Sequence, residues 1–372
     1  MRRALPFPIS LVSPSFRVDR RRNMLALSVL ATLALPACTD KASDMGHTFD
    51  SDTAGVCGRV RGSSGILLYE EGGDDLHAPT EAPSTTAKTT GVAGPVGDAT
   101  TMVGVTAGMV MMSTNTGCDW EQTGNLPSTG DWALVAGGTD VYAFDRLTGA
   151  GAVSSDLGAS WTPFDTVEPF VDPPTFAGGR IRGVQARGVV TSEDKGATWT
   201  LNGAAPFGPR GGDVSPSNLD LVTVAGETGI FISHTGGASW DDVSAKLVGH
   251  SDGTVIGLRV AASPASDDVL FAITDGADGT RTFQRSIDAG ANWDRLGDST
   301  QVSIGDDARL YPAPDDATMV LSSSAILADN KLNLYRITAG EGTHTVGVGG
   351  YLAMPQLSIQ PERWVAAVHA VP

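Results

Sequence analysis

Ser192-Glu193-Asp194-Lys195-Gly196-Ala197-Thr198-Trp199 is the clearest of five octads that open on Ser, hold Gly at position five and close on Trp. Ser154 to Trp161 and Ser286 to Trp293 keep Asp at position three (Asp156 and Asp288) and Gly at position five (Gly158 and Gly290). Ser113 to Trp120 has Asn115 in place of the Asp and retains Gly117; Ser233 to Trp240 has Thr235 there and retains Gly237. The five tryptophans follow one another at 41, 38, 41 and 53 residues. A pattern this fixed, at so regular a spacing, is a repeat of one structural unit.

The residue types say what the octad does. A Ser hydroxyl and an Asp carboxylate accept hydrogen bonds from backbone N–H groups of a tight hairpin. The Gly takes a positive φ there at no steric cost, and the Trp packs its ring beneath the hairpin, worth about 2–3 kcal/mol in burial. Each octad Asp (Asp156, Asp194, Asp288) is therefore read as a turn-former and not as a catalytic acid. The octads resemble the Asp-box, or BNR repeat, of sialidases, sortilin-type receptors, xyloglucanases and photosystem II assembly factors. The resemblance implies an all-β fold, a single β-propeller.

A period near 40 residues with one hairpin per unit fits a four-stranded blade. Around Trp240 the expected strands are 212–214, 219–225 and 229–233, with Trp240 opening the fourth. Around Trp293 they are 256–262, 269–273 and 283–286. A degenerate unit follows at 309–311, 319–323 and 333–337, its octad reduced to Thr338 and Gly342 with no Trp. The chain then offers only a first and second strand, at 356–359 and 364–371. At its other end, Gly65 to Glu70 reads as a third strand lacking the first two. Joined, the two ends make one blade and close the ring, which leaves no ring-end edge strand exposed. This gives seven four-stranded blades, with six or eight as alternatives because 72–100 is ambiguous.

Ahead of the repeats, Arg20-Arg21-Arg22 and the apolar run Met24 to Leu35 read as an export signal, too short to span a membrane. Leu35-Pro36-Ala37-Cys38 resembles the lipobox of bacterial lipoproteins, which implies cleavage before Cys38 and a diacylglycerol on its thiol. A plain signal peptide is the alternative, and Arg21-Arg22-Asn23-Met24-Leu25 also resembles a twin-arginine signal. The expected organisation is thus a signal peptide at 1–37, the lipidated Cys and a flexible tether at 38–61, and the propeller at 62–372. Loss of residues 1–37 takes the formal charge from −17 to −22, a surface that repels phosphate backbones and argues against nucleic acid as partner. Cys57 and Cys118 remain, read as one disulfide in an oxidising compartment or as two free thiols.

Candidate chemistry is sparse. The only local cluster of arginines is Arg180, Arg182 and Arg187, all in one unit, whereas the sialidases that carry this repeat draw a three-arginine clasp from separate blades. Arg180 and Arg182 alternate along a strand and share a face, so the three are a candidate binding patch, with charge balance against Glu193 and Asp194 as the plainer reading. The six histidines are scattered without metal-ligand spacing, and Asp275-Gly276-Ala277-Asp278-Gly279 is read as a solvated turn and not a Ca²⁺ loop. No catalytic residue, metal or cofactor is expected. The expected function is a binding and scaffolding module at the cell envelope, monomeric, anchored by lipid alone, with a protein or glycan partner. A glycan hydrolase of the sialidase or related type and an assembly factor for a membrane complex are the alternatives. An enzyme should gather Arg, Glu and Tyr side chains at the mouth of the central channel.

Overall fold

In a computed structural model, the residues described are 65–70, 76–77, 89–94, 96–98, 100–115, 120–249, 256–276, 278–298, 304–306, 308–313, 316–326, 331–340, 342–349, 351–360 and 363–370. All belong to the compact unit Asp40–Pro372. The export signal, Cys38, the tether, Cys57, Gly117 and Cys118 lie outside the described residues.

The described strands form seven four-stranded antiparallel sheets, each a meander except the one that joins the two chain ends. Sheet 1 consists of Thr89–Ala93, Met102–Thr106, Met109–Ser113 and Glu121–Asn125. Sheet 2 is Trp132–Gly137, Asp140–Asp145, Ala150–Ser154 and Thr162–Asp165; sheet 3 is Thr175–Ala177, Arg180–Gln185, Gly188–Ser192 and Thr200–Ala204. Sheet 4 is Gly211–Val214, Val222–Gly226, Gly229–Ser233 and Asp241–Asp242; sheet 5 is Ile256–Ala262, Leu270–Asp275, Arg281–Ser286 and Asp294–Asp298. Sheet 6 is Arg309–Pro312, Met319–Ile326, Lys331–Thr338 and Gly342–Gly349. Its third and fourth strands meet at the pair Thr338 and Gly342, the two residues left of the degenerate octad.

Sheet 7 runs Tyr351–Gln360, Arg363–Ala370, Gly65–Glu70, Leu76–His77. Gly65 pairs with Val368 and Glu70 with Arg363, so the first described strand of the chain is hydrogen-bonded to the last. Each sheet packs on the next, and sheet 7 packs on both sheet 6 and sheet 1, closing the circle.

The core is divided among the interfaces between sheets. Val103, Val105, Val110, Trp132, Leu134 and Val141 form one cluster between sheets 1 and 2. Between sheets 2 and 3 the filling is aromatic: the Trp199 ring meets Phe144, Phe164 and Phe170 at centroid distances of 6.3, 6.3 and 5.4 Å. The octad Trp is therefore a wedge between neighbouring sheets as well as a floor for its own hairpin. In sheets 1 to 4 the fourth strand is the outermost and largely exposed, while the second strand is buried almost throughout.

The three octads with an Asp at position three share one hydrogen-bonded form. In the one ending in Trp161, the Ser154 hydroxyl donates to Asp156 Oδ1 (2.8 Å) and accepts from Gly158 N–H (2.8 Å), while Ser160 N–H donates to Asp156 Oδ1 (2.8 Å). The octads ending in Trp199 and Trp293 repeat all three bonds. Their three carboxylates are held below the usual Asp range, first by the side chain at position seven (Ser160, Thr198 or Asn292) and then by that residue's N–H. In the octad ending in Trp240, Thr235 Oγ1 accepts the Ser239 N–H (2.9 Å) in place of a carboxylate. Its indole N–H donates to Ala204 O in sheet 3 (2.9 Å), where the other three bond their own octad Gly carbonyl.

Candidate functional site

Strand one of each meander brings residues to the axis of the ring, and there sequence-distant charges meet. Asp172 lies just before the first strand of sheet 3, Asp213 on that of sheet 4, Arg259 on that of sheet 5, and Arg309 and Tyr311 on that of sheet 6. These five line one cavity of about 220 Å³, walled otherwise by Val214, Pro216, Val260, Pro264, Leu310 and Pro312 among others. A second, much smaller cavity shares Asp172, Pro173 and Arg309 with it and reaches Arg146 in sheet 2.

Asp172 Oδ1 accepts from the Arg309 guanidinium at 2.5 Å and Asp172 Oδ2 from Gly212 N–H at 3.1 Å. Asp172 thus ties sheet 3 to sheets 4 and 6. Asp213 Oδ2 accepts from Ala262 N–H at 2.8 Å, tying sheet 4 to sheet 5. Arg146 donates to Asp131 Oδ1 (2.8 Å) and to the Thr90 carbonyl (3.1 Å), tying sheet 2 to sheet 1. Arg259 donates to the carbonyls of Leu258 and Arg210. Every one of these charges has a partner, and most of the partners lie on another sheet.

The electrostatics follow from enclosure. Burial pushes Asp213 up to about 7, with the Asp172 charge adding to the rise and the Ala262 N–H opposing it. Burial also raises the Tyr311 phenol, partly offset by the Arg309 charge. A hydrogen bond with the Ser323 side chain opposes the rise as well. The Arg146 guanidinium is pushed down by burial, against the pull of Asp131. A carboxyl near neutrality beside a second carboxylate can hold or release a proton at physiological pH.

The sequence-predicted patch is not one surface. Arg182 is buried: it donates to Thr191 Oγ1 (2.8 Å), the Leu219 carbonyl (2.6 Å) and Asp220 Oδ1 (2.7 Å), fastening sheet 3 to sheet 4. Its ionic partner is Asp220, not the expected Glu193 or Asp194. Arg180 is exposed at one end of its strand, and Arg187 stands beyond the other end, donating to Gln185 Oε1 (3.3 Å). About 20 Å of strand separates them. The channel charges were missed because each lies on a different repeat. The available signal was a charged residue on strand one of successive units, where the wall is otherwise apolar or small.

Among the described residues no group of three or more His, Cys, Asp or Glu is placed to hold a metal ion. Asp275 faces Arg281 at 3.6 Å, and Asp278 Oδ1 accepts from Thr280 N–H. His234 is exposed on its hairpin. No helix among the described residues is long and apolar enough to cross a membrane.

No protein-family model and no curated protein matches the sequence. Solved structures do match. YCF48 from Cyanidioschyzon merolae aligns with a TM-score of 0.56 at 10% identity, over 82% of this chain and 97% of that one. The chain is a β-propeller. YCF48 bound to D1 peptide is similar at a TM-score of 0.53 and 14% identity, over 84% and 99% of the two chains. The GH74 xyloglucanase from Xanthomonas campestris is similar at 0.55 and 15% identity, over 80% of this propeller and 55% of that enzyme. The propeller spans between 39% and 55% of the length of the GH74 enzymes it matches. At such identities the likeness is one of fold.

Proposed function

We propose that this propeller is exported, cleaved before Cys38, anchored by lipid on that residue, and acts as a binding and scaffolding module for a protein partner at the cell envelope. The observation that carries the reading is the wiring of the channel. Asp172, Arg146 and Arg309 are spent on ties between sheets, which makes the ring a rigid frame whose loops are free to vary and bind. The acidic surface favours a partner with basic segments. The similar fold of YCF48 bound to D1 peptide supports a protein ligand.

Asp213 favours a second reading. A carboxyl raised to about 7 beside the carboxylate of Asp172, with Arg309 and Tyr311 in the same cavity, is the kind of unequal acid pair that glycosidases use. One experiment separates the two. The purified chain is assayed on sialoside, glucan and galactoside reporters, and membranes are crosslinked to recover neighbours of the anchored protein. A partner recovered only when Cys38 is intact, with no turnover, supports binding; turnover abolished by Asp213→Asn would establish the hydrolase instead. Cys38→Ala should also end labelling by a fatty-acid probe, and undiminished labelling refutes the anchor.

A further inference from the structure

On the end of the ring where strands two and three turn and one sheet passes to the next, two loops of sheet 2 stand together. One is the turn Arg146-Leu147-Thr148-Gly149, the other Thr166-Val167-Glu168-Pro169, which leads to sheet 3. They are bonded to each other: Thr166 N–H and Thr166 Oγ1 both donate to the Gly149 carbonyl, at 3.0 and 2.7 Å. Leu147 is 74% exposed and Val167 64%, the two highest values among the exposed large apolar side chains described.

Val167 is held there against its own preference. Its φ is +72°, a region that a β-branched residue adopts only under constraint. The constraint is on both sides. Val167 N–H donates to Asp165 Oδ1 (2.7 Å), and the Glu168 carbonyl lies 2.7 Å from Thr166 Oγ1, whose one proton is shared between it and the Gly149 carbonyl. From sheet 3, the Gln185 amide donates to the carbonyls of both Thr166 and Glu168 (2.8 and 2.6 Å). Beside this strained residue, Glu168 Oε2 is buried with no hydrogen-bond partner among the described residues. Arg187, the cation at that end of sheet 3, donates to Gln185. Glu168 as a whole is only half-buried, so a cation from outside the chain can meet its carboxylate and offset the cost of the enclosed oxygen.

We infer that Leu147, Val167 and Glu168 form the docking site for a partner segment that places an aliphatic or aromatic side chain beside a Lys or Arg. This rests on the binding reading above and gives it a location and a chemistry. The apolar side chain covers Leu147 and Val167, and the cation meets the Glu168 carboxylate. The exposed Asp165 and the chain's strong negative charge favour the same sign of partner.

The test uses the full-length chain in detergent and an array of labelled hexapeptides, each pairing Leu, Ile or Phe with Lys or Arg at zero to three residues' spacing. Glu-for-Lys versions serve as the control. Saturable binding of basic members is expected, at least tenfold tighter than the acidic controls and weakened by salt. Glu168→Gln and Val167→Gly should each lower affinity at least fivefold. Val167→Gly should at the same time raise the melting temperature, because Gly takes this φ freely; a residue there for stability alone would give the opposite. Binding that ignores both substitutions, or acidic peptides binding as well as basic ones, overturns the site. So does saturable binding to anionic lipid vesicles in place of peptides. A partner crosslinked through the opposite end of the ring would leave the general binding function intact and overturn this location.

Discussion

Asp172 and Arg309 lie 137 positions apart in the chain and meet at 2.5 Å across the channel, joining sheet 3 to sheet 6 with two sheets between them. Neither side chain is more than about a quarter exposed. Arg309→Ala would leave the Asp172 carboxylate enclosed with only the Gly212 N–H, and the expected cost is about 3 kcal/mol. Asp172→Asn in the same background should recover part of it, because the stranded charge is then gone. Urea unfolding of the single and double variants measures the difference; a double variant no more stable than Arg309→Ala would show that the pair does not act as one.

Asp213 makes stability depend on pH in a definite direction. Its folded pKa, about 7, lies above the ordinary 3.8, so the folded chain holds the proton more tightly than the unfolded one. The stability this contributes is full below about pH 4, declines as pH rises and is gone above about pH 7. Asp213→Asn keeps an acceptor for the Ala262 N–H and carries no charge. At pH 8 it should exceed the parent by roughly 2–4 kcal/mol, with the advantage shrinking toward pH 4. Parallel curves for the two proteins from pH 4 to 8 would refute the assignment.

The octad glycines hold the sheets together as well as the hairpins. Gly158 has φ +89°, and a methyl group added there would lie 2.3 Å from Val110 Cγ1 in sheet 1. Gly158→Ala combines strain with a clash against a stiff, fully buried side chain, and should cost about 3 kcal/mol. Gly178→Ala, at φ +57° with nothing within 4 Å, isolates the strain and should cost about 1 kcal/mol. Equal losses in thermal melts would mean that the contact with Val110 contributes nothing.

The octads were legible because all their information is local: a hydroxyl, a carboxylate and a Gly within eight residues write one hairpin, and the hydrogen bonds of Ser154, Asp156 and Gly158 are those the residue types demand. Strand limits were less so. The second strand of sheet 4 begins at Val222, not at Leu219, because Ser215 N–H takes the Leu221 carbonyl and Leu221 N–H the Asn218 carbonyl in a longer turn. The channel was not legible at all. Asp172, Asp213, Arg259 and Arg309 become neighbours only when four repeats close round an axis, and nothing local distinguishes them from surface charges. Arg182 misled for the converse reason: a basic residue between two others looks solvent-facing until Asp220 of the next unit is brought beside it.

Ring closure through sheet 7 gives the last test. Arg363–Ala370 is an inner strand of that sheet, paired along Gly65–Glu70 on one side and Tyr351–Gln360 on the other. Deleting residues 363–372 removes both ladders at once, so two inner edges are left open where edges invite pairing with other chains. The loss should be several kcal/mol, a large part of what a domain has, and the shortened chain should aggregate or melt far below the intact one. A shortening confined to residues 371–372 should leave the melting temperature within about 1 °C, since it takes away none of the described ladders. Supplying residues 363–372 as a free peptide should restore solubility by reforming the central strand. If the long deletion instead melts like the parent, the two ends of the chain are not one sheet and the ring is closed by other means.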